Sequence, residues 1–179
     1  MHINAYIITY NPIIDLLYRI ITRVYEQVDK VYIIDNNSQN RNDIVQMVDN
    51  LKKRESPEKL FMILNCINQG IAYALNQALH ISQQENVPWM ITLDQDSIIE
   101  NKLIRKYEMV LQRANENRNR LSMIVPENYN ENINIVHSNI NVYDIKYVDF
   151  AITSGCFVSV SILSNIGGFS NKLFIDCVD

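Results

Sequence analysis

Short apolar segments alternate with segments of helical periodicity through the first 115 residues, and this alternation limits the possible folds more than any other feature. The apolar segments are rich in β-branched and aromatic residues and lack polar alternation, as expected of strands buried on both faces. The predicted strands are residues 3–9, 31–35, 59–66 and 89–93, and the predicted helices are 12–28, 42–53, 71–84 and 101–115. This β-α order predicts an α/β fold with a mostly parallel central sheet flanked by helices.

The first predicted helix has a start signal and one apolar face. Asn11 is predicted to cap this helix, and Pro12 suits its first position because proline lacks an amide hydrogen. Ile13 opens the apolar face, whose other members follow at helical spacing: Leu17, Ile20, Ile21, Val24 and Val28. We therefore expect Ile13 to pack in the core.

Residues 116–179 have a different pattern. Short β-type runs are interrupted by Asn-rich polar stretches, with no long helical period. This pattern predicts a smaller antiparallel part, either an edge or a hairpin. Gly167 and Gly168 are predicted to end a helix and make a turn. The length of 179 residues fits a single domain, built from a βα half (1–115) and a second half (116–179).

Composition excludes several classes of protein. The net charge is -4 and no basic tract is present, so binding to nucleic acid is not expected. Cys66, Cys156 and Cys177 are far apart, which favours reduced thiols in a cytoplasmic protein over disulfides or a zinc site. No stretch approaches the ~18 apolar residues of a spanning helix, and the N-terminus lacks the basic region of a signal peptide.

Polar residues follow each of the four predicted parallel strands. These strand ends carry Thr9–Asn11, Asp35–Asn37, Asn65–Asn68 and Asp94–Asp96. Turns favour Asn and Asp for local reasons, so one such strand end would mean little. Because ligands of open α/β sheets bind beyond the carboxyl ends of the strands, four together indicate a binding site. The chain contains neither G-x-G-x-x-G nor G-K-[ST], which argues against a dinucleotide or P-loop nucleotide.

Asp94 and Asp96 are separated by a single residue at the end of the fourth predicted strand. Two carboxylates this close repel each other unless a cation lies between them. Mg²⁺ or Mn²⁺ is the natural cation for oxygen ligands, with substrate phosphates completing the shell. A solvated turn is the ordinary explanation of such a pair, but the position after a buried strand, beside three other polar strand ends, favours a metal site.

Six motifs occur in an order and at spacings similar to those of family 2 glycosyltransferases of the Rossmann-like GT-A fold. They are "IITYNP", "IIDNNS", "NQGIAYALNQAL", "LDQDS", "ITSG" and "LFIDCVD". The resemblance covers essentially the whole chain. It is greatest to bacterial rhamnosyltransferases that use dTDP-rhamnose, in which D-Q-D-S and F-I-D-x-V-D are typical.

This resemblance implies an inverting transfer of a sugar from a dTDP- or UDP-linked donor to a saccharide or lipid-linked acceptor. The setting it implies is cell-surface polysaccharide synthesis, in the cytoplasm or peripherally at the inner face of the plasma membrane. The implied cofactor is Mg²⁺ or Mn²⁺. The βα half would then bind the nucleotide and the second half would face the acceptor.

The resemblance also implies roles for particular residues. The nucleotide would be bound by Thr9, Tyr10, Asn11, Asp35, Asn37, Asn68, Gly70, Asn76 and Asp94, with Asp35 accepting a hydrogen bond from the pyrimidine. Asp96 would be the main metal ligand, assisted by Asp94. The sugars would lie near Gln95, Thr153, Ser154 and Gly155. Asp179 matches the general base, and Asp176 is a second candidate.

One observation shapes the expectation for activity. Family members usually continue past the position of Asp179, so we expect a C-terminally truncated member. A nucleotide-sugar-binding module without catalysis is therefore one alternative function. The other is a phosphatase of the haloacid dehalogenase type with Asp94 as nucleophile, although that fold places its D-x-D after the first strand.

Overall fold

The computed structural model describes residues 1–114, 121–126 and 153–172. Those residues form one mixed sheet with strand order β3-β2-β1-β4-β6-β5. The strands are β1 (Ile3–Thr9), β2 (Lys30–Asp35), β3 (Leu60–Leu64), β4 (Trp89–Asp94), β5 (Met123–Ile124) and β6 (Cys156–Ser159). The helices are α1 (Ile14–Tyr25), α2 (Arg41–Lys52), α3 (Ile71–Gln84), α4 (Leu103–Ala114) and α5 (Val160–Asn165), with a 3₁₀ turn at Pro57–Lys59.

The first four strands are parallel, as predicted. Ile7 of β1 pairs with Ile33 of β2 on one side and with Leu93 of β4 on the other. The strand β6 runs antiparallel to β4, and β5 runs antiparallel to β6, which confirms the smaller antiparallel part. The α/β fold with a mostly parallel sheet is therefore confirmed.

Both faces of the sheet are covered by helices, which explains the continuous apolar strands. All seven residues of β1 are buried. One face packs side chains such as Ile7 and Ile33 against Leu17 of α1, Ile44 of α2 and Tyr107 of α4. The opposite face packs against α3 and α5 through residues that include Tyr6, Tyr32, Leu75 and Leu163. A strand between two apolar layers has no solvent side on which polar residues would alternate.

The start of α1 differs from the prediction. The residue that caps α1 is Ile13, and no side-chain hydrogen bond caps the helix. Asn11 cannot serve because it adopts a positive φ of 50°, and its side chain accepts a hydrogen bond from the loop after β2 instead. Ile13 is 68% exposed, so its predicted place in the core was wrong. The other helices of the first half lie within one or two residues of their predicted bounds.

The helix α5 lies in the half for which no long helical period was predicted. Its six residues are too few to show a helical period in the sequence. Its predicted stop is confirmed: Gly167 and Gly168 have positive φ angles of 94° and 82°. Their amides donate to the carbonyls of Ser164 and Leu163, which ends the helix.

A polar cluster closes the amino-terminal edge of the sheet, opposite to the polar strand ends. Glu85, just after α3, accepts hydrogen bonds from Lys30 Nζ at 2.6 Å, Tyr32 Oη at 2.7 Å and Asn4 Nδ2 at 2.7 Å. Burial opposes the ionisation of Glu85, but these hydrogen bonds and the charge of Lys30 together hold its pKa below the ordinary value of 4.5. Burial raises the pKa of the neighbouring Tyr6 to about 12.

Candidate active site

The carboxyl ends of the parallel strands meet at one edge, as predicted. Thr9 at the end of β1 pairs with Asp35 at the end of β2, and Ile8 pairs with Asp94 at the end of β4. Asp35 in turn pairs with Leu64, the last residue of β3. The loops after these four strands therefore start side by side. They bring together most of the residues for which a binding role was predicted.

Asp35 is the buried centre of the loop after β2. Its carboxylate has no solvent exposure. It accepts hydrogen bonds from Thr9 Oγ1 at 3.1 Å, from the Ser38 amide at 3.1 Å, from the Ser38 hydroxyl, and from Arg41 Nε at 3.2 Å. A carboxylate offers about four acceptor positions, and these four donors fill them. Asp35 is thus the anchor of its own loop.

Arg41 carries positive charge to this edge. Its side chain is 28% exposed and forms an ion pair with Asp35. Its Nη2 donates to the carbonyl of Asn65 after β3 and to Asn37 Oδ1 at 3.4 Å. Neither Arg41 nor Ser38 was predicted as a site residue, because residue type alone does not show that a side chain donates to a buried carboxylate. The motif "DNNSQNR" was the available signal.

A cluster of side-chain amides holds the loop after β3 against α3. Asn65 and Gln77 exchange two hydrogen bonds, each of 2.9 Å, and Asn65 also donates to Asn36 Oδ1 at 2.9 Å. Asn36 Nδ2 donates to the carbonyl of Gly70 at 3.0 Å. The Gly70 amide donates to Asn68 Oδ1 at 2.9 Å, just before α3 begins. Asn68 and Gly70 therefore shape the turn at which the nucleotide was predicted.

The loop after β1 is attached to both of its neighbours. The Asn11 amide donates to Ser38 Oγ at 2.8 Å, and Asn11 Oδ1 accepts from the Gln39 amide at 2.7 Å. The Tyr10 amide donates to Gln95 Oε1 at 2.8 Å, and Gln95 Nε2 donates to the Tyr10 carbonyl at 3.2 Å. The three loops after β1, β2 and β4 thus form one hydrogen-bonded unit.

The acidic turn after β4, residues 94–96, is hydrogen-bonded to Ser154. Ser154 is 2% exposed, and its hydroxyl accepts a hydrogen bond from the Asp94 amide at 3.1 Å and shares another with Ser97. Asp94 is half-buried at the strand end and Asp96 is exposed. Among the residues that the structure describes, no group of three or more His, Cys, Asp and Glu side chains is placed to hold a metal. Magnesium in proteins is usually held by one or two carboxylates with water and substrate phosphates, so two carboxylates fit such an ion.

The predicted sugar-side loop lies beside this turn. The Gly155 amide donates to the Thr92 carbonyl at 2.8 Å, and Thr92 Oγ1 donates to the Thr153 carbonyl at 2.6 Å. Tyr107 of α4 donates from its hydroxyl to the Gly155 carbonyl at 2.5 Å. Burial raises the pKa of Tyr107 well above its ordinary value. The loop is therefore fixed to β4 and α4.

Asn76 connects α3 with the segment that follows α5. Its Nδ2 donates to the Phe169 carbonyl and to Asn171 Oδ1, both at 2.9 Å, and its Oδ1 accepts from the Phe169 amide at 2.9 Å. These bonds hold the Gly167–Gly168 turn. The role of Asn76 beside a nucleotide stays a prediction. Asp176 and Asp179, predicted as base candidates, lie outside the described residues.

The mixed sheet, with four parallel strands and an antiparallel strand beside β4, is the GT-A fold of glycosyltransferases. The chain belongs to glycosyl transferase family 2, whose family model matches residues 5–169. It is 28% identical over 191 residues to the dTDP-rhamnosyl transferase RfbF of Shigella flexneri. That match covers 99% of this chain and 60% of the relative, so the chain spans less than two thirds of that protein's length.

Two solved structures illustrate the shared fold. One is the mannosyltransferase PcManGT from Pyrobaculum calidifontis in complex with GDP-Man and Mn²⁺, with a TM-score of 0.68 and 14% identity over 96% of this chain and 48% of that one. The other is GalNAc-T7 with UDP, GalNAc and Mn²⁺, with a TM-score of 0.65 and 13% identity over 98% of this chain and 38% of that one. In the part of this chain that is described, no helix is long and apolar enough to cross a membrane.

Proposed function

We propose that this chain is a metal-dependent glycosyltransferase that inverts the configuration of the transferred sugar. The observation that carries the proposal is the set of hydrogen bonds that hold the acidic turn. Ser154 holds the Asp94 amide, and Gln95 joins the same turn to the loop after β1. An acidic turn placed beside polar loops at the carboxyl edge suits a ligand with a cationic bridge and a polar nucleoside.

We propose that the nucleoside lies over the ends of β1 and β2. Thr9 and Tyr10 would line the base, with Asn11, Asn37, Asn68, Gly70 and Asn76 along the loops and helix beside it. Asp35 already accepts four hydrogen bonds, so a base N–H that binds it must replace a donor. Arg41 is the donor we propose to yield, because its side chain is partly exposed.

Asp96, with Asp94, would hold Mg²⁺ or Mn²⁺, which would neutralise the charge that develops on the departing diphosphate. This donor set contains only oxygen atoms, as such hard cations prefer. The Ser154 hydrogen bond holds the backbone amide of Asp94, which fixes the start of the acidic turn before a ligand binds. Both solved structures described above contain Mn²⁺ in their complexes.

Inversion requires one displacement at the anomeric carbon and a base for the acceptor hydroxyl. We propose Asp179 as this base, with Asp176 as the second candidate, and Thr153 and Gly155 beside the sugars. Rhamnose linked to dTDP is the donor we favour, on the 28% identity to a dTDP-rhamnosyl transferase. The proposed acceptor is a saccharide or lipid-linked saccharide of the cell surface, met at the cytoplasmic face of the plasma membrane.

Calorimetric titration of the protein with dTDP, UDP and GDP, with and without Mn²⁺, tests this function. We expect Mn²⁺ to strengthen binding of a pyrimidine diphosphate, and Asp96→Ala to weaken that binding about tenfold or more. Asp49→Ala, which removes an exposed carboxylate of α2, is the matched control. Equal affinity with and without metal in both proteins would contradict the proposal.

Activity assays on the same protein separate the competing functions. Tight binding of the sugar nucleotide without any transfer of sugar would support the binding-module alternative. The phosphatase alternative is no longer favoured, since the chain belongs to a glycosyltransferase family and its D-x-D follows β4 rather than the first strand. Hydrolysis of a simple phosphate ester that depends on Asp94 would restore it.

A further inference from the structure

The side chain of Gln95 imitates a strand neighbour for Tyr10. The ladder between β1 and β4 ends where Ile8 pairs with Asp94. Beyond that point, Gln95 Oε1 accepts the Tyr10 amide at 2.8 Å and Gln95 Nε2 donates to the Tyr10 carbonyl at 3.2 Å. One side-chain amide therefore satisfies both backbone groups of Tyr10, as a neighbouring strand would.

This contact joins the acidic turn to the proposed nucleoside site. Tyr10 precedes Asn11, whose amide donates to Ser38 Oγ at 2.8 Å. Ser38 in turn donates twice to the buried carboxylate of Asp35, from its amide and from its hydroxyl. Hydrogen bonds and the peptide link between Tyr10 and Asn11 therefore connect Gln95 to Asp35, across the loops after β4, β1 and β2.

Glutamine supplies both an acceptor and a donor at the length that this position needs. Asparagine is one methylene shorter and would not span the same gap. Glutamate keeps the length and one acceptor, but it would set a second acceptor against the Tyr10 carbonyl and a third carboxylate between Asp94 and Asp96. An apolar residue of equal length would leave both backbone groups of Tyr10 without this partner.

We propose that Gln95 is a positioning residue: it fixes the loop of Tyr10 and Asn11 onto the acidic turn and acts on the nucleoside through that loop, rather than by contact with the sugar. The inference rests on the proposed function and deepens it. Because Gln95 would act through the loop of Tyr10 and Asn11, it would affect every ligand that uses the nucleoside pocket, whether or not a sugar is attached.

The first test compares the affinities of the protein for two ligands at saturating Mn²⁺. Calorimetry gives the Kd of dTDP and of dTDP-rhamnose for wild type, Gln95→Ala and the length-matched Gln95→Met. We expect both variants to bind both ligands about tenfold more weakly, with the ratio of the two Kd values unchanged. Gln112→Ala, which changes an exposed glutamine of α4, is the control and should bind like wild type.

The second test needs no ligand. Hydrogen exchange of the peptide that contains Tyr10 and Asn11 should be faster in Gln95→Ala than in wild type, and unchanged in the control. Weakening of dTDP-rhamnose alone, or exchange that stays slow in the variant, would overturn the inference. Failure of the wild type to bind either nucleotide would instead refute the proposed function, so the two failures are distinguishable.

Discussion

Adjacent glycines after α5 provide a matched pair of perturbations. Gly167 and Gly168 both have positive φ, 94° and 82°, so an alanine at either position meets similar backbone strain. Their surroundings differ. A Cβ on Gly167 would meet nothing within 4 Å, whereas a Cβ on Gly168 would come within 2.5 Å of Asn76 Oδ1 and 3.3 Å of Leu79 Cδ2.

The expected free energies of unfolding follow from these distances. A left-handed conformation costs an L-residue about 1–2 kcal/mol, partly offset by the lower chain entropy of alanine in the unfolded state. Gly167→Ala should therefore destabilise the protein by about 1 kcal/mol. Gly168→Ala must also displace the Asn76 amide from Phe169 and Asn171. At about 1 kcal/mol for each of these hydrogen bonds, its total cost should be about 3–4 kcal/mol.

Urea denaturation of the two variants and wild type measures the difference directly. A third background makes the test specific: in Asn76→Ala, the methyl group at position 168 has no amide to displace. We expect the two glycine variants to differ by about 2–3 kcal/mol in wild type and by much less in Asn76→Ala. Equal destabilisation of Gly167→Ala and Gly168→Ala in the wild-type background would refute the reasoning.

Two further predictions concern charged groups. Asp35→Asn should lower the free energy of unfolding by about 2–4 kcal/mol, because the new amide faces donors and leaves Arg41 without its buried partner. Asp49→Asn on the exposed side of α2 should cost almost nothing in the same denaturation assay, and equal effects would contradict this prediction. The pKa of Glu85 is lowered in the fold, so its stabilisation is present above its unfolded pKa and is lost as pH falls through the folded pKa. Denaturation of wild type and Glu85→Gln should therefore differ most at neutral pH and converge below about pH 4.5, and a gap that stays constant would count against the Lys30 pairing.

The architecture of the first half was predictable because its signals are local. Apolar runs without alternation indicated strands buried on both faces, and helical spacing located α3 at Ile71–Gln84. The start of α1 was not predictable from its cap signal. Asn11 has the chemistry of a cap, but its contacts with Ser38 and Gln39 pull it into a left-handed turn, and Ile13 becomes exposed.

The location of the candidate site was predictable, but the hydrogen bonds between its residues were not. Polar residues after parallel strands had to meet at one edge, and the structure brings Thr9, Asp35 and Asp94 there. Arg41 and Ser38 were missed because their importance lies in what they donate to Asp35. The roles expected from the family for the individual residues stay predictions until ligands are measured.

By itself, the sequence determined the α/β class, the parallel direction of the first four strands and the edge at which polar residues gather. These properties follow from the period of the apolar residues and the chemistry of each strand end. The tertiary structure alone decided which polar groups form hydrogen bonds within the protein itself. Gln95 reaches Tyr10 across 85 residues and Asn76 reaches Phe169 across 93, and partners so distant leave no local pattern. A side chain's hydrogen bonds depend on which elements the sheet places beside it, and only folding brings those elements together.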